Sequence, residues 1–200
     1  MVYTSDVAFT NTVKRIQSER GSRRSYARME ESRGGFSAEI TPEAAAFISE
    51  RNSAYLSTAN TNGQPYVQHR GGPRGFIKVL DTKTLAFADF TGNRQYITTG
   101  NLAENDQAFL FLMNYLEQER LKFWGRARVV TDDSALFAQL SDPEYPARVE
   151  QAIVFDVTAW DGNCPQHIPR LVDAAAVRAT VDSLQQRISE LEMQLAEKTL

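Results

Sequence analysis

Short apolar runs joined by turn residues are the feature that most limits how this chain can fold. Ala54–Ala59 and Gln64–His69 flank the turn Asn60–Gly63, and its Asn-Gly pair favours a tight hairpin because these residues readily adopt positive φ. Phe76–Leu80 and Thr84–Ala88 flank a second turn in the same way. Strands that follow one another in hairpins pair antiparallel, so the sequence favours an antiparallel barrel over βαβ units.

The rest of the central segment adds longer strands and short helices. Thr41-Pro42-Glu43 predicts a helix start, because Thr is a good N-cap and Pro suits the first helical position. No Gly-x-Gly-x-x-Gly motif follows a predicted strand, which argues against a Rossmann site. The fold class predicted is mainly β with short helices (α+β). The further predicted elements are strands at Ala108–Tyr115, Arg120–Val130 and Ala152–Trp160, and helices at Ala44–Arg51, Arg94–Ala103 and Asp132–Leu140.

The chain divides by character into three parts: a basic N-terminal extension (1–40), a folded domain (41–170) and a C-terminal helix (171–200). The extension allows an amphipathic helix around Val7–Ile16. Glu19–Gly35 has too little apolar content to bury itself, so we expect an arm that lies on another surface or stays mobile. Its arginines are Arg20, Arg23, Arg24, Arg28 and Arg33.

The C-terminal helix carries a heptad repeat. Apolar residues recur at alternating spacings of four and three, with charged and amide side chains on the other faces. The repeat favours an amphipathic coiled-coil helix that pairs between chains, and the alternative is a single helix folded back on its own barrel. The apolar positions are Val177, Val181, Leu184, Ile188, Leu191 and Leu195.

Composition excludes several classes of partner. The net charge of -3 gives no reason to expect nucleic acid or a membrane surface. One cysteine cannot form an internal disulfide, and no run resembles a signal peptide or a membrane span, so a cytoplasmic location is expected. One cysteine and two histidines are too few for an all-protein zinc site, so no metal is expected.

Two cationic clusters flank the second hairpin. The first is the glycine-rich run from His69 to Lys78, and the second is Gly92–Gln95, where a helix is predicted to begin. Glycine lets backbone approach a ligand, and helix N-termini and arginine both favour phosphate. The alternative is that these arginines are solvated turn residues. From the residues alone, a phosphate site and this alternative have about equal support.

Two later segments carry further candidates. Glu119–Val130 alternates, so one face is polar and cationic while the other is apolar, and Trp124 could stack on a ring or cap the core. Trp160–Arg170 is polar and bounded by prolines. Cys164 could be a nucleophile activated by His167. The favoured interpretation is that Cys164 is a turn residue with no catalytic role.

Four runs together resemble the FMN-binding split barrel of the pyridoxamine 5'-phosphate oxidase-like superfamily, in its bacterial flavin-nucleotide-binding branch. They are HRGGPRGFIK, GNRQY, RLKFWGRARVV and NCPQHIPR, and the resemblance covers about Thr41 to Arg170. It implies an antiparallel split barrel that binds FMN at a homodimer interface.

The resemblance also implies roles for particular residues. Lys78 matches a lysine that helps to hold the flavin, and Asn93, Arg94 and Gln95 match a Ser-Arg-Lys run that binds its phosphate. The lysine of that run is lost here, and Arg70 or Arg74 would replace its charge. Arg120 matches a glutamine at the pyrimidine edge of the flavin, where a cation would stabilise the reduced ring.

The C-terminal match is partial. Trp160 and Arg170 have the spacing of a Trp and an Arg that contact the flavin from the partner subunit. Gln166 and Ile168 replace the Arg and His that grip the substrate in true pyridoxamine-phosphate oxidases, and His167 is displaced by one residue. We therefore expect no vitamin B6 oxidation, and we place His69, Gln166 and His167 on the substrate side.

The expected function is an FMN-dependent oxidoreductase that passes hydride or electrons from NAD(P)H to a small organic acceptor or oxygen. The flavin would do the chemistry, and the protein would supply orientation and charge. The alternative is a non-catalytic protein that binds or carries flavin, haem or deazaflavin.

Overall fold

The structure is a computed structural model that describes residues 2–162 and 165–198. The chain forms two compact units, Met1–Met113 with Arg120–Cys164, and Asn114–Glu119 with Pro165–Leu200. The three-part division at residues 40 and 170 stays a prediction. Within the described residues, no helix has the length and apolar character needed to cross a membrane.

The first unit is built on one seven-stranded antiparallel sheet with the order β2-β1-β5-β6-β7-β4-β3. Strands β2 and β3 lie at its two ends, so the sheet is open, and the predicted antiparallel split barrel is confirmed. The strands are β1 (Ser53–Ala59), β2 (Pro65–Gly71), β3 (Lys78–Val79), β4 (Thr84–Phe90), β5 (Gln107–Asn114), β6 (Glu119–Val130) and β7 (Val149–Gly162).

The hairpins form where the turn residues predict them. Strands β1 and β2 pair from Ser53↔Gly71 to Ala59↔Pro65, and Gly63 in their turn has φ of 79°. Strand β4 pairs with both β3 and β7. Alternate residues of a strand face opposite sides of a sheet, and both sides are covered where β4 pairs with β7, so residues 85–88 and 152–155 are all apolar.

The main core lies on one side of the sheet. Its fully buried large side chains include Leu56, Phe87, Leu110, Phe123 and Phe155. A smaller core covers the other side of β4 and β7, where Ala86, Ala88, Ala152 and Val154 pack beneath Leu140 of a helix. The two cores fix the register of β4 and β7, because a one-residue slip would exchange their faces.

Six α-helices accompany the sheet in the described residues, together with a short 3-10 helix at Thr4–Val7. They are α1 (Asn11–Glu19), α2 (Arg23–Arg33), α3 (Pro42–Ser49), α4 (Ile97–Glu104), α5 (Ser134–Leu140) and α6 (Ala174–Lys198). The side chain of Thr41 caps α3 as predicted, and that of Asp133 caps α5. Helix α4 was predicted to begin at Arg94 but begins at Ile97, because Arg94 and Tyr96 have left-handed backbone with φ of 58° and 53°.

The N-terminal extension is helical and contacts the barrel, so it matches the first of the two expected arrangements, an arm that lies on another surface. It folds as α1 and α2, and a few aromatic residues anchor it: Phe9 contacts Tyr26 and Phe36, and Phe36 stacks on Trp124 at 5.2 Å. Trp160 donates its indole N–H to the carbonyl of Glu39 at 2.7 Å. A few apolar contacts therefore hold the extension within the first unit, although most of α1 and α2 stays exposed.

Helix α6 belongs to the second unit. It extends over 25 residues, as the heptad repeat predicts, and all six seam side chains are between 42% and 65% exposed. In the same unit, Gln118 donates a hydrogen bond to the carbonyl of Ile168 and accepts one from Arg170 at 3.2 Å.

Gly125 lies at a bulge where β6 meets β7. A Cβ at this position would lie 2.2 Å from the carbonyl oxygen of Asp156 and 2.6 Å from a ring carbon of Phe155. The absence of a side chain at Gly125 is therefore required by sheet packing.

Gly125→Ala is expected to lower the free energy of unfolding by about 1–3 kcal/mol, because an overpacked core must shift its backbone or rings. Urea unfolding measures the change. Gly100→Ala is the matched control, since a Cβ there meets nothing within 4 Å, and an alanine inside α4 should raise stability by about 0.5–1 kcal/mol. An unchanged midpoint for Gly125→Ala would contradict this steric account.

Candidate functional site

A polar cleft, the β2–α4 cleft, lies in the first unit between β2, the end of β4, the start of β7 and the start of α4. Its empty volume is about 420 Å³. The alternation of β2 turns Tyr66, Gln68 and Arg70 towards the cleft. The other lining residues are Asp89, Phe90, Gly92–Thr99, Glu150 and Gln151.

Arg70 forms an ion pair with Asp89 inside the cleft. The two side chains are only 10% and 15% exposed. Gln151 donates hydrogen bonds to Asp89 at 2.8 Å and to Thr99 at 2.9 Å, which ties this pair to the first turn of α4. The Nε of Arg70 is buried and has no hydrogen-bond partner. A buried donor without a partner costs free energy, so this position is a local weakness of the folded chain.

The start of α4 is the second feature of the cleft. Tyr96 occupies the N-cap position and gives no side-chain cap. The first N–H groups of a helix lack intrahelical partners and carry the positive end of the helix dipole. Thr98 is buried and donates its hydroxyl to Gln68 at 2.7 Å, which fixes the helix start against β2. The cleft therefore combines fixed N–H donors with cationic side chains, a combination that suits an anion.

Arg94 lies at the exposed side of the same cleft. Its Nε donates to the hydroxyl of Tyr96 at 3.0 Å, and that hydroxyl donates to Glu150 at 2.6 Å. The hydrogen bond that Arg94 donates to Tyr96, aided by the nearby charge of Glu150, raises the pKa of Arg94 above its ordinary value. The cleft thus holds two cations, Arg70 and Arg94, and two carboxylates.

Asn93 and Gln95 lie beside Arg94 in the cleft, so three of the predicted phosphate residues meet Arg70 there. Two others lie apart. Arg74 and Lys78 line a separate cavity beside α3, and Arg74 is 71% exposed and pairs with Glu50. The cleft thus brings together only part of the predicted set.

Arg120 and His69 lie on the sheet face opposite the main core. The Nε of Arg120 is buried and, like that of Arg70, has no hydrogen-bond partner. His69 is exposed and contacts Tyr55 with ring centroids 5.6 Å apart. Because β2 alternates, His69 and Arg70 project from opposite faces of one strand, which the sequence run did not reveal.

Trp160 packs against the main core, with its ring centroid 6.0 Å from that of Phe123. Gln166, His167 and Arg170 belong to the second unit, where all three are exposed and His167 has left-handed backbone with φ of 64°. Cys164, considered as a nucleophile, lies outside the described residues.

Several cleft residues were not singled out in the sequence. Gln151 is a nearly buried amide inside an apolar strand, and a polar residue in such a run is a usable signal, because buried amides need partners. Tyr66 and Gln68 share the spacing of two with Arg70, which marks them as one face of β2. Asp89 and Glu150 carried no local signal, since β4 and β7 bring them to the cleft only through pairing over a long chain separation.

The fold and the cleft define an open, antiparallel split-barrel protein with a polar cleft that can hold an anion at a helix start. The family model for pyridoxamine 5'-phosphate oxidase matches residues 40–186, more than half of the chain. The chain therefore belongs to the pyridoxamine 5'-phosphate oxidase family, as its four sequence runs predicted.

Several solved structures are similar to the chain at low identity. HupZ of Group A Streptococcus has 17% identity and a TM-score of 0.49, over 66% of this chain and 99% of that chain. An FMN-binding protein of Syntrophomonas wolfei has 12% identity and a TM-score of 0.48, over 74% and 97%. A Clostridium acetobutylicum protein related to general stress protein 26 has 15% identity and a TM-score of 0.45, over 64% and 89%. No curated protein matches the chain significantly.

Proposed function

We propose that the protein binds FMN, with its phosphate in the β2–α4 cleft, and serves as an FMN-dependent oxidoreductase. The observation that carries this proposal is one cleft that joins the uncapped start of α4, the exposed Arg94 and the unpartnered Nε of Arg70. The family to which the chain belongs supports the choice of a flavin nucleotide over another anion.

The residues of the cleft fit a phosphate group. The first turn of α4 offers N–H donors with fixed direction, and Arg94 offers a charged fork at the open side. Arg70 also lines the cleft and adds a second positive charge near the phosphate. Asn93 and Gln95 flank these groups, and the hydrogen bond from Gln95 N–H to Asn93 Oδ1 at 3.3 Å holds their loop.

Arg120 is proposed to face the ring of the flavin. This role rests on its place in the resemblance, where a cation at the pyrimidine edge would stabilise the reduced ring. When bound, FMN supplies hydride and electron transfer. Arg120 would lower the free energy of a ring that gains negative charge, while Arg70 and Arg94 would fix the position of the phosphate.

The proposed assembly is a homodimer with flavin at the subunit interface. The sheet face opposite the main core supports it, because Tyr55 and Val67 are 37% and 58% exposed there and Phe109 and Phe111 are only partly buried. Tyr55 pairs with Phe111 across the β1–β5 ladder, so these side chains form one apolar patch. Such a patch is typical of a protein interface.

The proposed reaction passes hydride or electrons from NAD(P)H to a small organic acceptor or oxygen. Trp160, Gln166, His167 and Arg170 are assigned to the flavin and substrate side by their place in the resemblance, and Lys78 to the flavin. These assignments stay predictions.

The visible absorption spectrum of the freshly purified protein tests the proposal. A flavin spectrum, with FMN identified by mass after acid release, is the expected result, and NADH and NADPH oxidation by the loaded protein then tests the reaction. A colourless protein that takes up no added FMN would overturn the proposal.

Arg94→Ala is expected to weaken FMN binding about tenfold to a hundredfold and to leave riboflavin binding unchanged. A charge-assisted hydrogen bond is worth about 1.5–3 kcal/mol, and riboflavin lacks the phosphate that Arg94 would contact. Flavin fluorescence quenching measures both affinities. Arg74→Ala removes an exposed arginine outside the cleft and should change neither, whereas equal losses of both ligands in Arg94→Ala would contradict the assignment.

A second function, non-catalytic carriage of a flavin, haem or deazaflavin, is favoured by one observation. The charged side chains of the cleft are engaged with one another, Arg70 with Asp89 and Arg94 through Tyr96 with Glu150, so none is placed as a separate acid or base. A loaded protein that oxidises neither NADH nor NADPH would favour this function.

A further inference from the structure

Helix α6 presents an apolar seam that is exposed along its whole length. In heptad notation, Val181, Ile188 and Leu195 occupy the a positions, and Val177, Leu184 and Leu191 occupy the d positions. Each of the six is at least 42% exposed. An exposed continuous apolar stripe is costly in water, and another helix with the same stripe is its natural cover.

The residue types at the seam favour one arrangement. β-Branched side chains at a, with leucine at d, favour two parallel strands, because of the way these side chains fill the holes of the facing helix. The two central a positions are Val181 and Ile188, and the two d positions after Val177 are Leu184 and Leu191. The core of the seam therefore selects a parallel dimer over trimers or tetramers.

The flanking charges agree with that choice. Arg187 is a g position and Glu192 is the e position five residues later, and g contacts e of the facing helix in a parallel pair. A parallel dimer would therefore contain two such pairs, each between Arg187 of one helix and Glu192 of the other, and both pairs are attractive. In an antiparallel pair with all six seam residues in register, g faces g, so the two copies of Arg187 would repel each other.

We infer that α6 pairs with α6 of a second copy of this chain as a parallel two-stranded coiled coil, with Arg187 facing the partner's Glu192. The chain is thus its own partner, since the seam and the charges are self-complementary. Within one chain, Arg187 contacts Glu190 at 2.9 Å, and it would exchange or share this contact on pairing. Pairing of α6 does not depend on the flavin, and the cross-linking below measures α6 itself.

A parallel pair places each d residue opposite its own copy. In the full-length chain with Cys164→Ser, Leu184→Cys is expected to form a symmetric disulfide in glutathione buffer, because d-layer Cα atoms approach within disulfide range. Ser183→Cys, one residue away at the outer c position, is the matched control and should cross-link far less. Non-reducing electrophoresis measures the cross-linked fraction.

Charge reversal separates the parallel pair from its alternatives. Adding Arg187→Glu to Leu184→Cys is expected to lower the equilibrium constant for cross-linking about threefold to tenfold, since two attractive pairs become repulsive. Adding Glu192→Arg as well should restore it, and this rescue cannot come from within one helix, because residues five apart do not face each other. Cross-linking of Leu184→Cys no better than Ser183→Cys, or a second charge reversal that lowers it further, would overturn the parallel coiled coil.

Discussion

Arg70→Ala is expected to weaken FMN binding about tenfold or more and to lower the free energy of unfolding by about 3 kcal/mol. Both effects come from one side chain, because Arg70 forms a largely buried ion pair with Asp89 and also lines the cleft. Removing one member of a buried pair leaves a charge without compensation, which typically costs about 3–5 kcal/mol. Urea unfolding and flavin fluorescence measure the two effects separately.

Asp89→Asn is the matched change on the other side of this pair. It should also destabilise the protein, because Arg70 then lacks its carboxylate, but it should tighten FMN binding, because the cleft becomes more positive. The double variant should regain part of the lost stability and still bind FMN weakly. If Arg70→Ala and Asp89→Asn weaken FMN to the same extent, the two residues act on the ligand only through folding, and Arg70 is no phosphate contact.

The hairpin order and the strand faces were the parts of this molecule that its sequence predicts best. Turn residues such as Asn62-Gly63 act locally, and the alternation of β6 separates Phe123 from its cationic neighbours without help from the rest of the chain. Local patterns of this kind predict the structure well, because the turn conformations and the alternation of faces that they favour are also those of the folded sheet.

The errors arose where long-range packing decides. Arg94 and Tyr96 adopt left-handed backbone conformations, and the hydroxyl of Tyr96 bonds to Glu150 of β7. Helix α4 therefore begins only at Ile97. The N-terminal extension looked too polar to fold, yet Phe36 and its aromatic neighbours find Trp124 far along the chain. A composition count cannot show that a few well-placed rings have a partner surface.

The cleft shows the same division. Asn93, Arg94 and Gln95 are contiguous, so a sequence run can predict them together. Arg70 lines the same cleft, whereas Arg74 lines a separate cavity. The two arginines are separated because β2 ends and the chain turns between them. The short chain separation of Arg70 and Arg74 therefore did not predict that they would line different cavities.

A buried carboxylate holds the N-terminal extension together. Glu30 is 1% exposed, accepts a hydrogen bond from Ser5 at 3.0 Å, and forms ion pairs with Arg23 and, at 3.6 Å, with Lys14. Burial opposes ionisation, but Arg23, Ser5 and Lys14 together outweigh it and lower the pKa of Glu30 below its ordinary value of 4.5. The stabilisation is therefore fully present above pH 4.5 and is lost as the pH falls through the lowered pKa of the folded state.

Arg23→Met is expected to destabilise the docked extension by about 3 kcal/mol, because it leaves Glu30 buried with only a distant cation and one hydroxyl. The matched double variant Arg23→Met/Glu30→Gln should recover part of the loss, since no unpaired charge remains. Hydrogen exchange over residues 11–33 reports the docking directly. Tryptophan fluorescence reports it as well, because Trp124 and Trp160 both contact the extension and undocking should shift their emission to the red. Fast exchange of this segment in the wild-type protein at neutral pH would contradict the docked arrangement, whereas slow exchange that accelerates only in Arg23→Met would show that the ion pair holds the extension in place.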